Sequence, residues 1–160
     1  MIPQRIIWHH SGISKNEHQF SDINTYHKSK RFPISSLGFY VGYHWLIEED
    51  GIVKQARKEN EIGAHDQGEN SNSIGICLVG NFNIYMPSEA QAAAGAKLIG
   101  EIRNRWNIPI TRIEPHRWDD VTDCPGNRLA DNWLTCEYLN RDANILIRSF
   151  SWIGDKFKLL

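Results

Sequence analysis

Ser73-Ile74-Gly75-Ile76-Cys77-Leu78-Val79-Gly80 is the stretch from which the fold can be read. It is nearly all apolar, the pattern of a central strand buried on both faces. Toward the N-terminus, residues 57–72 are polar and contain glycine, which predicts a long loop around Gly63-Ala64-His65. Structureless loops of that length in compact domains are usually functional. Residues 40–47, rich in aromatic and β-branched side chains, read as a strand. Glu49-Asp50-Gly51 is a turn signal, and residues 52–55 read as the returning arm of a hairpin. Before them, Ser21-Asp22 offers a helix cap for Ile23, Tyr26, His27 and Lys30 at helical spacing, and Pro33 stops the helix. Residues 5–8 form a short buried strand that runs into His9-His10-Ser11-Gly12.

Toward the C-terminus, Ser88 with Gln91 makes a capping box. Ala92, Gly95, Ile99, Ile102 and Trp106 then recur at steps of three and four, an apolar stripe on one helix face. Asn107 and Pro109 end that helix. Residues 110–113 read as a short strand leading to Pro115-His116. A last helix is expected over about 127–140, with Leu129, Trp133, Cys136 and Leu139 inward. Strands and helices interleave, so the expected class is α/β (α+β), a mixed central β-sheet flanked by helices. Residues 1–143 are expected to form one domain. Residues 144–160 are expected to be a tail packed on or beside it, read as either strand or amphipathic helix.

The 160 residues carry 18 Lys+Arg against 19 Asp+Glu, a net charge of −1, so the chain lacks the positive field of a nucleic-acid binder. No run approaches the roughly 18 apolar residues of a membrane-spanning helix, so no membrane insertion is expected. The start has one early cation and too short an apolar stretch for a signal peptide. The expected location is therefore the cytoplasm of the cell that makes it. Three cysteines, unevenly spaced, are too few for a disulfide framework and should be reduced thiols.

His9 at the end of the first strand, His116 after the last and Cys124 in the following loop suit a metal. Two imidazoles and a thiolate are three borderline-soft ligands, and a catalytic zinc typically takes three protein ligands and keeps one position open. With seven histidines and three cysteines, spacing alone leaves chance proximity open, because no HExxH or CxxC anchors the set. Cys77 reads as a small apolar strand residue and Cys136 as a helix-face residue. His10, His18, His27 and His44 read as ordinary surface or core histidines.

Ordered blocks then carry a resemblance: residues 6–11 (Ile-Ile-Trp-His-His-Ser), Tyr26-His27-Lys28, residues 42–47 (Gly-Tyr-His-Trp-Leu-Ile), Asp50-Gly51, Gly63-Ala64-His65, residues 72–80, His116-Arg117 and Cys124-Pro125-Gly126. Together they resemble the type-2 N-acetylmuramoyl-L-alanine amidases, the family of small phage amidase-type lysozymes and animal peptidoglycan recognition proteins. The resemblance implies an amidase cutting the bond between the muramic acid lactyl group and the L-alanine of the stem peptide. It implies one zinc (Zn2+) per chain held by His9, His116 and Cys124, and it places Tyr43 at the catalytic tyrosine. His10 is the poorer ligand, since adjacent strand side chains point to opposite faces. Zinc can lower the pKa of a bound water towards about 7 and polarise a carbonyl. Tyr43, then Thr122, would donate to the oxyanion. Thr122 stands where phage members often carry lysine and many active recognition proteins carry threonine.

Peptidoglycan is the implied partner. Arg57, His65, Asn72 and Arg117 are candidate donors to the muramyl peptide, with Trp45 or Trp118 as a stacking surface and His65 also a candidate proton relay. A phage or prophage endolysin is expected, monomeric and released to the wall by a holin. The alternative is a peptidoglycan-binding module that does not cut. Non-catalytic recognition proteins commonly lose the cysteine ligand, and Cys124 is present.

Overall fold

In a computed structural model, residues 1–13 and 20–142 are described. The expectations for His18 and for the tail at 144–160 lie outside these residues. Five strands form one mixed sheet: β1 (Arg5–His10), β2 (Trp45–Ile47), β3 (Val53–Gln55), β4 (Ser73–Leu78) and β5 (Ile113–Pro115), in the order β3-β2-β4-β1-β5. β1 runs parallel to β4 and β5, β2 runs parallel to β4, and only the β2–β3 hairpin is antiparallel. β4 is the middle strand and all six of its residues are buried, as its apolar run predicts. The mixed sheet flanked by helices is the expected class.

Strand alternation sorts the side chains onto two faces. One face carries Ile6, Trp8, Ile74, Ile76, Leu78 and Ile47, packed against Leu98, Ile99, Ile102 and Leu134. These come from α2 (Glu89–Trp106) and from the helical stretch α3 at 133–142. The other face carries Leu46 and Cys77, packed with Ile23 of α1 (Phe20–Ser29), Val41 and Ala56. The capping box of α2 is formed as read: Gln91 N–H donates to the Ser88 hydroxyl, and the Gln91 side chain accepts from Ser88 N–H. Asn107 closes the helix in the left-handed conformation, with φ 52°.

Four boundaries differ from the sequence reading, three of them because a tertiary partner takes the backbone groups. The strand expected at 40–47 begins only at Trp45. Tyr40 N–H donates to Asn24, Gly42 N–H to His27 Nδ1, and Gly42 C=O accepts from Ala64, so this backbone is bonded to α1 and a loop. Residues 110–112 are a 3-10 turn, and the strand begins at Ile113. The last helix starts at 133, not 127, because Asn127 and Arg128 donate to Asn83 and Phe82. Its inward phase follows Leu134 and Tyr138, which leaves Cys136 exposed and Leu139 48% exposed, while Leu129 is buried as expected. Finally, α1 starts at Phe20, whose N–H donates to Glu48 Oε1, so Ser21 and Asp22 lie inside the first turn. No helix among the described residues is long and apolar enough to cross a membrane.

Candidate metal centre

β1 puts both histidines in one strand and separates them by alternation. His10 turns to the α2 side, where its Nδ1 accepts from Phe82 N–H at 3.1 Å. His9 turns to the opposite face and is buried. β5 lies alongside β1 with Pro115 opposite Trp8, so the chain leaves the sheet beside His9 and the His116 ring packs 4.4 Å from the His9 ring. The loop after His116 then folds back. Arg117 Nη2 donates to Gly126 C=O at 2.6 Å, Gly126 N–H donates to Asp123 C=O, and Cys124 N–H donates to the Thr122 hydroxyl at 3.2 Å. Gly126 has φ 117°, and a Cβ there would lie 2.5 Å from the Phe82 backbone, so only glycine lets the loop sit this close. Cys124 Sγ comes to 3.7 Å from His9 Nδ1. One donor atom from each of His9, His116 and Cys124 lies within 4.8 Å of the others.

The electrostatics suit a cation. Burial first, then the neighbouring His65 and His116, holds the His9 imidazole well below its usual pKa, and burial also lowers that of His116. Both rings are therefore neutral near pH 7 with lone pairs free to bind. Burial pushes the Cys124 thiol up to about 12, so a metal is what would favour its thiolate. His116 Nδ1 is buried without a hydrogen-bond partner among the described residues. Two neutral imidazoles, one of them with an orphaned nitrogen, and a thiol fit a zinc ion by donor type and count.

Two further side chains border the cluster. The Tyr43 ring lies 5.1 Å from that of His9. Burial raises its pKa well above 10, so the phenol stays protonated. The His65 ring stands edge-on to His9, with His65 Nδ1 3.1 Å from His9 Nε2. Gly75 makes room for it: a Cβ there would lie 2.5 Å from the His65 ring. Beside the cluster, a cavity of about 580 Å³ runs along α1, lined by Ser11, Ile23, Thr25, Tyr26, His27 and Tyr43 among others.

Other candidate residues are placed elsewhere. Trp45 is a correction: it stands on the α2 face of the sheet, beside Ile76, and its indole N–H donates to Glu59, so it does not reach the His9 face. Asn72 lies just before β4, away from the strand ends that carry His9; its Nδ2 donates to Glu69 and its C=O accepts from Gln4. Arg57 is 2% exposed and donates to the carbonyls of Val41, Ile62 and Pro33, which makes it a tie between loops. Arg117 pairs with Asp131 and holds the Cys124 loop through Gly126. Trp118 remains 56% exposed next to that loop, its indole N–H donating to Asp131. Sequence reasoning missed Asp66, a buried carboxylate 3.9 Å from His116 Nε2. Its position directly after His65 was the one available signal.

Comparison with known proteins gives a consistent set. The family model for N-acetylmuramoyl-L-alanine amidase matches residues 1–127. Peptidoglycan-recognition protein SC2 of Drosophila melanogaster is 36% identical over 113 residues, covering 69% of this chain and 58% of its own length. The chain thus spans little more than half of that relative. Among solved structures, the N-acetylmuramoyl-L-alanine amidase LysC from Clostridium intestinale URNW superposes with a TM-score of 0.75 at 30% identity, covering 87% of this chain and 86% of its own. The endolysine amidase LysCS from the same organism gives 0.70 at 31% identity, covering 79% and 77%.

Proposed function

The chain belongs to the type-2 N-acetylmuramoyl-L-alanine amidase family, and from that membership we propose that it hydrolyses the lactyl–L-alanine amide of peptidoglycan. The observation that carries this reading is the convergence of His9 with His116 and Cys124, which lie more than a hundred positions further along the chain. These three residues would hold one zinc ion. Bound there, zinc would supply Lewis acidity for the scissile carbonyl and acidity for a water molecule.

The chain's own groups do the rest. The cavity along α1 meets the cluster at Tyr43, so a stem peptide lying in it would bring its first amide to the tyrosine. The Tyr43 phenol, kept protonated by burial, donates a hydrogen bond to the oxygen that gains charge as the carbonyl is attacked. Thr122 holds the Cys124 backbone through its hydroxyl oxygen, and its hydroxyl proton can serve as a second donor. Burial of His9 keeps bulk water from competing for the site.

A phage or prophage endolysin is the biological setting we propose, supported by the likeness to LysCS. In that setting the protein accumulates in the host cytoplasm and reaches the wall after holin-dependent release. The match to a peptidoglycan-recognition protein supports a second reading, a module that binds the wall without cutting. Incubating the zinc-loaded chain with purified peptidoglycan separates the two. Appearance of new L-alanine amino groups, abolished by chelator, is expected. Retention on intact wall with no new amino groups would favour the binding module, and release indifferent to chelator would remove the zinc mechanism.

A further inference from the structure

We propose that the loop dipeptide His65-Asp66 positions both imidazole ligands of the metal centre, His65 acting on His9 and Asp66 on His116. The inference rests on the zinc reading and assigns it an outer shell.

A hydrogen-bond chain sets the tautomers on the His9 side. The Ser73 hydroxyl donates to Glu69 C=O at 2.6 Å, which spends its proton. Toward His65 Nε2, 3.4 Å away, Ser73 Oγ can then only accept, so His65 carries its proton on Nε2. His65 Nδ1 is left as the bare nitrogen and accepts from His9 Nε2–H at 3.1 Å. A neutral His9 protonated on Nε2 has its lone pair on Nδ1, the nitrogen that faces Cys124 Sγ.

The His116 side ends on a charge. Asp66 is 3% exposed, and neither of its carboxylate oxygens has a hydrogen-bond partner among the described residues. Its Oδ1 lies 3.9 Å from His116 Nε2. The other ring nitrogen of His116, Nδ1, is buried and unpartnered among the described residues. A buried carboxylate without partners is costly unless something compensates it. A proton held on His116 Nε2 does so, and it leaves the Nδ1 lone pair for the metal. Imidazole ligands commonly donate their second N–H to an outer acceptor that fixes ring and tautomer. Here two consecutive residues stand at the two acceptor positions, His65 within hydrogen-bond distance and Asp66 at 3.9 Å, and Gly75 leaves the room in which the first one stands.

The test is zinc affinity by competition with a chromophoric chelator near neutral pH, read together with the thermal midpoint of the metal-free protein. Asp66→Asn and His65→Ala should each weaken zinc binding by about 10- to 100-fold. His65→Asn, whose amide oxygen can occupy the place of Nδ1, should recover part of the loss. The metal-free midpoint of Asp66→Asn should equal or exceed that of the wild type, because the desolvation cost of a buried carboxylate is removed while an amide oxygen can still face His116 Nε2. Wild-type affinity in Asp66→Asn, or a lowered metal-free midpoint in that variant, would overturn the proposal. A wild-type chain that takes up no zinc would instead overturn the metal-centre reading on which it rests.

Discussion

His9 and His10 share a strand and a residue type, yet one faces the candidate metal and the other faces a backbone N–H. Their substitutions should therefore separate. Cys124→Ser and His9→Ala should abolish stoichiometric zinc in the purified chain, measured by elemental analysis. His10→Ala should keep its zinc but lose about 1–3 kcal/mol in urea unfolding, because Phe82 N–H is left without its acceptor. Zinc loss in His10→Ala with retention in His9→Ala would reverse the ligand assignment. Tyr43 tests the chemistry and not the metal: Tyr43→Phe should bind zinc normally and lower kcat by on the order of 100-fold. An unchanged kcat would remove the phenol from the reaction.

Among the elements, α2 is the one whose sequence signals and structure agree at both ends. Ser88, Gln91 and the apolar stripe are local features, spaced within one or two helical turns, and Asn107 adopts the left-handed cap. Ser88→Ala should cost about 1 kcal/mol of stability in urea unfolding, with zinc uptake unchanged, and a loss near zero would show the cap to be redundant. The other elements deviate where their backbone bonds outside themselves. Residues 40–42 have strand-like composition, but α1 and the 57–72 loop take their hydrogen bonds. The start of α3 is delayed by the tie of Asn127 and Arg128 to the loop carrying Phe82 and Asn83. Propensity describes a segment alone, so it cannot anticipate a partner tens of residues away.

For the molecule as a whole, buried neutral histidines make stability depend on pH. His44 is fully buried, its Nδ1 accepting from Gly75 N–H and its Nε2–H donating to Glu61 C=O, so it joins β4 to the 57–72 loop. Burial is the main reason its pKa falls to about 4. In the unfolded chain the same imidazole titrates near 6.5, so between those values the unfolded state binds more protons and stability rises with pH. The contribution is fully present above about 6.5 and fades as pH falls towards about 4, a loss of about 3 kcal/mol. His27, also lowered to about 4 chiefly by burial, acts in the same direction. Urea unfolding of the chelator-treated protein across this range should show the decline, and His44→Gln should flatten it. Equal slopes in the two proteins would mean that His44 is not held neutral by the fold.

The sequence by itself determined what short-range pattern can encode: the buried central strand, the capped helix, the hairpin turn, and the residue types of the ligand set. Tertiary structure alone decided which of those residues meet. His9 joins Cys124 across 115 positions because β1 is held between β4 and β5 in a definite register, and register is a property of paired strands, not of either strand's own residues. The same pairing sends Trp45 to the far face and brings His65 and Asp66 against the two imidazoles. Side-chain period is local, whereas proximity between distant segments exists only once the sheet has closed around β4.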